Sequence, residues 1–261
     1  MNAIKLSLCL LATSCAGITE ASETGLVGMA SSLAPMVTWL LVGGLLGVPL
    51  FTPPVRSERR TARVEELRRA VGWAGQSERV VTVLFADIRD FTTRCESLAP
   101  VDAVRFLNLY HEHMTSVIEA NGGIVNQLVG DGIMAIFGAT GQSRHADEAI
   151  AAGRAMLGSL GELGETLEFH GFGPVRIGVG VNTGPAVVGT IGSPRRMEYT
   201  AIGDTVNTAA RIESLTKELG YSLLVSAATW TAAERKPEGR ALDPVSIRGR
   251  RAEMTLYAVA I

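Results

Sequence analysis

A strong charge of either sign is missing from this chain. Its formal net charge is −2 over 261 residues, so no basic field invites nucleic acid. Cysteine is scarce as well. Cys9, Cys15 and Cys95 form no CxxC pair and no zinc spacing, which argues against a structural zinc site or a disulfide framework. The part beyond Arg56 is compatible with a reducing cytosol. Aromatic residues are only 5 % of the chain, yet hydrophobic residues are 47 %. Much of that apolar excess lies before Thr52.

From Thr24 to Val55 there is no Asp, Glu, Lys, Arg or His. Leu33 to Phe51 is long enough to cross a bilayer. Pro35, Gly43, Gly44, Gly47 and Pro49 would weaken a soluble helix but are tolerated in a transmembrane one. Arg56, Arg59, Arg60, Arg63, Arg68 and Arg69 follow at once, and such a flank stays in the cytoplasm. Residues 24–55 are therefore expected to span the inner (plasma) membrane, with everything C-terminal to them cytoplasmic. Residues 1–23, with Lys5 ahead of apolar Leu6–Ala16, read either as a signal-like segment or as a first membrane helix. Residues 56–78 form a charged connector. In it Val64, Leu67 and Val71 share one face of a short amphipathic helix, which either pairs with its own copy or is a solvated linker.

Beyond the connector, Val80–Ile88 is apolar almost without break and reads as a buried strand. Asp87 stands where that strand gives out. Pro100 opens a helix with a stripe of Val101, Val104, Leu107, Met114, Val117 and Ile118, closed by Asn121-Gly122-Gly123. Gly123–Val129 and Ile133–Phe137 make a hairpin about Gly130-Asp131-Gly132. Arg144–Leu163 is helical, and Val175–Val181 is a strand. The order β-α-β-β-α-β predicts an α+β fold with a ferredoxin-like core, both helices on one face of the sheet. That topology can bring Asp87 and Asp131 side by side.

A C-terminal αβ extension is expected next. Tyr199–Arg211 runs into a helix with Asp204 as N-cap, and Asn207 and Arg211 share a face. Ser222–Ser226 is a strand, Ala227–Glu234 a short helix, and Val245–Arg251 pairs with Met254–Ile261. Two converging carboxylates suit a hard cation such as Mg²⁺, though either alone could simply make a turn. Asn207 with Arg211 could hold a ribose and a phosphate, or be a solvated pair. Arg248, Arg250 and Arg251 could grip a triphosphate or flank a solvated turn.

Four blocks in order resemble the catalytic domain of class III nucleotidyl cyclases, the adenylate and guanylate cyclase family: Phe85-Ala86-Asp87-Ile88-Arg89-Asp90-Phe91-Thr92, Val129 to Gly138, Arg176 to Gly184, and Gly203 to Arg211. The likeness covers residues 79–261. It implies that Asp87 and Asp131, with the Ile88 carbonyl, hold two Mg²⁺ or Mn²⁺ ions. Phe91 and Thr92 match the turn that cradles the phosphates, and Arg176 and Arg248 fall where triphosphate-binding cations stand. Asn207 matches the residue that orients the ribose, and Arg211 the one that stabilises the transition state. The family builds its site between two subunits, so the resemblance implies a head-to-tail homodimer. The implied reaction is two-metal, in-line attack of the ribose 3′-hydroxyl on the α-phosphorus of ATP, giving 3′,5′-cyclic AMP and pyrophosphate. The alternative is a weakly active or silent homologue acting as a membrane-tethered nucleotide-binding or dimerisation module.

The chain departs from the family pattern at three places. Gln127 stands where adenylate cyclases usually carry the lysine that reads the purine, while its partner Thr200 fits the adenine type. A glutamine amide both donates and accepts, so relaxed selection between ATP and GTP is expected. Arg248 replaces a usual lysine. Asp90 replaces a frequent glycine and is expected to weaken phosphate binding slightly.

Overall fold

The computed structural model describes residues 76–193, 196–247 and 252–261. They lie in one of the two units into which the chain divides, Ala62–Ile261. The expected membrane segment, nearly all of the connector, and Arg248, Arg250 and Arg251 fall outside the described residues. Among those described, no helix is long and apolar enough to cross a membrane.

The first strand, β1, runs over Ser77–Ile88, three residues earlier than its apolar run suggests. Its side chains alternate between two cores. Leu84, Ala86 and Ile88 pack against helices on one face, and Val81, Val83 and Phe85 pack into a second cluster on the other. Burial on both faces is why the strand reads as one continuous apolar run. A short helix, α1 (Phe91–Glu96), follows, then α2 (Pro100–Ala120) with Pro100 in its first turn.

The buried stripe of α2 is Phe106, Tyr110, Met114 and Ile118, each four residues from the next. The sequence reading misplaced the first half of that stripe. Val101 and Val104 are 78 % and 59 % exposed; the aromatic pair one turn further on carries the core.

β2 (Ile124–Val129) and β3 (Gly132–Phe137) form the expected hairpin. Gly130 has φ +62°, the left-handed geometry that a two-residue turn requires of its first central residue. The single helix expected over 144–163 is two: α3 (His145–Gly158) and α4 (Leu160–Phe169). Ser159 separates them, its hydroxyl donating to the Met156 carbonyl.

β4 (Ile177–Ser193) and β5 (Arg196–Ile202) make a long antiparallel arm that the sequence reading did not foresee. α5 (Asp204–Glu218) follows. Its N-cap is Gly203 rather than Asp204, which is the first helical residue. β6 (Leu223–Ser226), α6 (Ala227–Ala232), β7 (Gly239–Ala241) and β8 (Leu256–Val259) complete the chain. Of the expected terminal strand pair, Val245 and Met254 form an antiparallel bridge and residues 248–251 lie outside those described, while β8 also pairs with β7.

The sheet order is β2-β3-β1-β4-β6-β8-β7, with β5 off β4. Its first four strands are the ferredoxin-like arrangement. The parallel pairing of β4 with β6 makes the whole sheet mixed. Helices α2 to α4 cover one face. The β4–β5 arm and α5 contribute to the core on the other, where Ala186, Val188, Ala201 and Ala209 join the odd residues of β1.

α5 lies close upon β4 because two glycines leave room. A Cβ on Gly180 would stand 2.1 Å from the Glu213 backbone nitrogen, and one on Gly178 would stand 2.3 Å from the Thr216 hydroxyl.

Candidate active site

β1 ends where the β2–β3 turn begins its return, and the two acids meet there. The Ile88 amide donates to Asp87 Oδ1 at 3.1 Å and to Asp131 Oδ2 at 3.2 Å. Two carboxylates sharing one amide are short of positive charge. Burial, then the hydrogen bond and charge of Asp131, then the charge of Glu213, push the Asp87 carboxyl up to about 7. A hard divalent cation supplies what that donor set lacks. Among the described residues no group of three or more His, Cys, Asp or Glu is placed to hold an ion. Two carboxylates alone suit an ion that keeps water or substrate oxygens in its shell.

Behind the pair lie groups that the sequence reading passed over. Glu213 faces Arg89, 3.9 Å away, and both side chains are nearly buried. Burial pushes the Glu213 carboxyl up, with Arg89 opposing. Arg89 is held by the Thr216 hydroxyl and the Tyr221 carbonyl. The Tyr110 phenol is fully buried and has no hydrogen-bond partner among the described residues. Burial, then the charges of Asp87, Asp131 and Glu213, push its ionisation upward. Spacing from Phe106 and Met114 could have placed Tyr110 in the core; nothing in the sequence put it beneath the acids.

The turn over Asp90, Phe91 and Thr92 comes next along the chain. Asp90 adopts φ +57°, and its carbonyl accepts from the Arg94 amide to open α1. Phe91 turns inward and stacks on Phe106 at 6.2 Å, while Thr92 stays exposed. Arg176 is brought to this turn: its carbonyl accepts from the Arg89 amide at 2.8 Å, and its guanidinium meets Asp90 at 3.4 Å. Lys217 also reaches Asp90, at 2.9 Å.

Asn207 and Arg211 sit one turn apart on α5. Asn207 is exposed and Arg211 partly so. Glu213, two residues on and roughly 200° round the helix, is the α5 side chain that turns toward the acids. One chain thus brings together Asp87, Ile88, Asp131, the Phe91–Thr92 turn and Arg176, and presents Asn207 and Arg211 on a different face.

Gln127 lies on β2 and Thr200 on β5. The arm carries β5 to β2 at this point, but the contact falls on a residue the sequence reading missed. The Thr200 hydroxyl donates to Asn126 Oδ1 at 2.8 Å, and Asn126 Nδ2 donates to the Tyr199 carbonyl.

Residues 74–260 match the adenylate and guanylate cyclase catalytic domain, and the chain belongs to that family, the class III nucleotidyl cyclases. It is 35 % identical over 182 residues to the terminal-differentiation specific adenylate cyclase of Dictyostelium discoideum, covering 69 % of this chain and 8 % of that protein. It is 34 % identical over 180 residues to adenylate cyclase 1 of Rhizobium meliloti, covering 69 % of this chain and 27 % of that protein. The chain thus spans well under a third of these relatives' length. Among solved structures, the guanylyl cyclase Cya2 matches at TM-score 0.64 and 34 % identity, over 71 % of this chain and 94 % of that one. The adenylyl cyclase CyaB from P. aeruginosa matches at TM-score 0.65 and 30 % identity, over 72 % and 96 %. Relatives named for either purine are about equally similar, so similarity alone does not choose the substrate.

Proposed function

We propose that this chain is an adenylate cyclase that converts ATP to 3′,5′-cyclic AMP and pyrophosphate at a site shared by two copies of itself. The observation that carries this reading is the convergence of Asp87 and Asp131 on the Ile88 amide. Asp87, Asp131 and the Ile88 carbonyl would hold Mg²⁺ or Mn²⁺, two ions to a site. Such ions, when bound, supply Lewis acidity toward the ribose hydroxyl and neutralise phosphate charge.

The backbone of the Phe91–Thr92 turn, with Arg176 and Arg248, holds the triphosphate. Asn207 fixes the ribose so that its 3′-oxygen lies in line with the α-phosphorus. The 3′-oxygen forms the new bond, the bridging P–O bond breaks with its electron pair leaving on pyrophosphate, and the hydroxyl proton passes to solvent. Arg211 donates to the α-phosphoryl oxygens as charge gathers there, where a fixed cation lowers a barrier most. Asn207 and Arg211 face away from the acids of their own chain, which supports a head-to-tail pair in which each copy completes the other's site. Gln127, able to present either end of its amide, leaves GTP as a poorer second substrate.

Residues 24–55 would anchor this domain at the inner (plasma) membrane with the catalytic part in the cytoplasm, a reading supported by their lack of charge and the arginines that follow. The test is product analysis of the purified protein with ATP and GTP, each with Mg²⁺ and Mn²⁺. Cyclic AMP as the main product supports the proposal. Absence of any cyclic nucleotide under all four conditions contradicts it.

A further inference from the structure

The β2–β3 ladder carries one residue too many. Pairing passes from Val125↔Ala135 directly to Gln127↔Met134, so Asn126 is the extra residue of a bulge. Bulges re-aim side chains, and this one sends Asn126 to β5. There its two amide ends have different partners. The Nδ2 end donates to the Tyr199 backbone carbonyl, and the Oδ1 end accepts from the Thr200 hydroxyl at 2.8 Å.

The direction of this chain of bonds is fixed at one end. A backbone carbonyl can only accept. Tyr199 therefore holds the Nδ2 side of Asn126 toward itself, and that leaves Oδ1, an acceptor, facing Thr200. The Thr200 hydroxyl has a single proton, and Asn126 takes it. What Thr200 retains for any ligand is its lone pairs. Gln127 has no such restriction, because its amide can rotate to offer either end.

We infer that Asn126 is a specificity-positioning residue: it locks the Thr200 hydroxyl as an acceptor and so biases the site toward adenine over guanine. This rests on the reading of Thr200 as a purine contact. Adenine offers an exocyclic amine at its 6-position, which that oxygen accepts. Guanine offers a carbonyl oxygen there, and two acceptors face each other with no proton between them. Gln127 can adapt to either base, so the discrimination comes from Thr200. One unmatched hydrogen bond of this kind corresponds to roughly tenfold in kcat/KM, a bias that still lets GTP react.

The test compares kcat/KM for ATP and GTP in the wild type, Asn126→Leu, Thr200→Val and the double variant. Asn126→Leu frees the Thr200 hydroxyl to rotate and donate to guanine, so the ATP-to-GTP ratio falls by roughly fivefold or more. In the Thr200→Val background the same change leaves the ratio where it was, since no hydroxyl remains to be oriented. A merely structural role for Asn126 would lower both activities and leave the ratio unmoved.

The same four proteins are titrated with non-cyclising ATP and GTP analogues, so that affinity reads the ratio without turnover. A ratio indifferent to Asn126, or equally sensitive with Thr200 absent, overturns the inference while leaving the cyclase reading intact. A wild type that binds neither analogue and makes neither product overturns both.

Discussion

The acid half of the proposed site and the α5 half are built on different terms. The acids stand at the end of a strand buried on both faces, share an amide, and are backed by Arg89, Glu213 and Tyr110 inside the same chain. Asn207 and Arg211 stand on a helix surface that turns outward. The first half is a finished piece of one protomer's interior. The second, in the proposed pair, would complete the partner's site. A centre divided in this way would be inert in a lone chain and gain its geometry on pairing.

Removing an acid should therefore do the most damage. Asp87→Ala takes away half of the carboxylate pair, and turnover should fall by roughly a thousandfold while circular dichroism keeps its native form. Arg211→Ala should cut kcat by roughly a hundredfold or more, as loss of a fixed donor to developing charge does, with metal affinity unchanged. If Arg211→Ala weakened Mn²⁺ binding as Asp87→Ala does, the division into halves would be wrong.

The next effect is on stability, because both halves depend on how α5 seats on β4. Gly180→Ala places a methyl 2.1 Å from the Glu213 nitrogen in the present packing. The helix must shift, at about 1–3 kcal/mol, read as a lower thermal midpoint. An unchanged midpoint would mean α5 is not tightly seated. Asp90→Asn should have a smaller effect of opposite sign. It releases Arg176 and Lys217 from a carboxylate and keeps a residue that tolerates positive φ. Affinity for inorganic triphosphate should rise a few-fold, the scale of an exposed ion pair, and a fall would contradict this account of the turn.

Smallest is a pH effect away from the site. Burial holds the His145 imidazole below its ordinary value, with Asp147 opposing. The unfolded chain then binds that proton more readily. Stability is fully present above the unfolded value of about 6.5 and is lost as pH falls through the folded one. Asp87, whose folded carboxyl is pushed up to about 7, takes a proton in the same window and opposes this loss, so the His145 share is read by difference: between pH 7.5 and pH 5.5 the wild type should lose more stability, or gain less, than His145→Gln.

The sequence carried the acid half well and the rest less evenly. An apolar run that stops at Asp87, and a Gly-Asp-Gly turn between two short strands, are local patterns, so the βαββαβ core and the meeting of Asp87 with Asp131 could be anticipated. The β4–β5 arm could not. Residues 189–198 are largely polar, glycine or proline, and they form a hairpin only because Ala186, Val188 and Ala201 find a core in the tertiary structure. β7 is three exposed residues, defined only by pairing with β8. Asn126 stayed hidden because a bulge leaves no mark in a six-residue strand. The stripe on α2 went astray because two exposed valines, three residues apart, fit a helical period as well as Phe106 and Tyr110, four apart, do.

The division into two halves meets its most direct test in a mixture. Asp87→Ala and Arg211→Ala, each nearly inactive alone, are combined in equal amounts under conditions that let protomers exchange. Half the dimers then hold one of each, and in every one of those a single site has intact acids from one copy and intact arginine from the other. Activity should return to about a quarter of the wild-type level. A mixture no more active than its separate components would contradict the account.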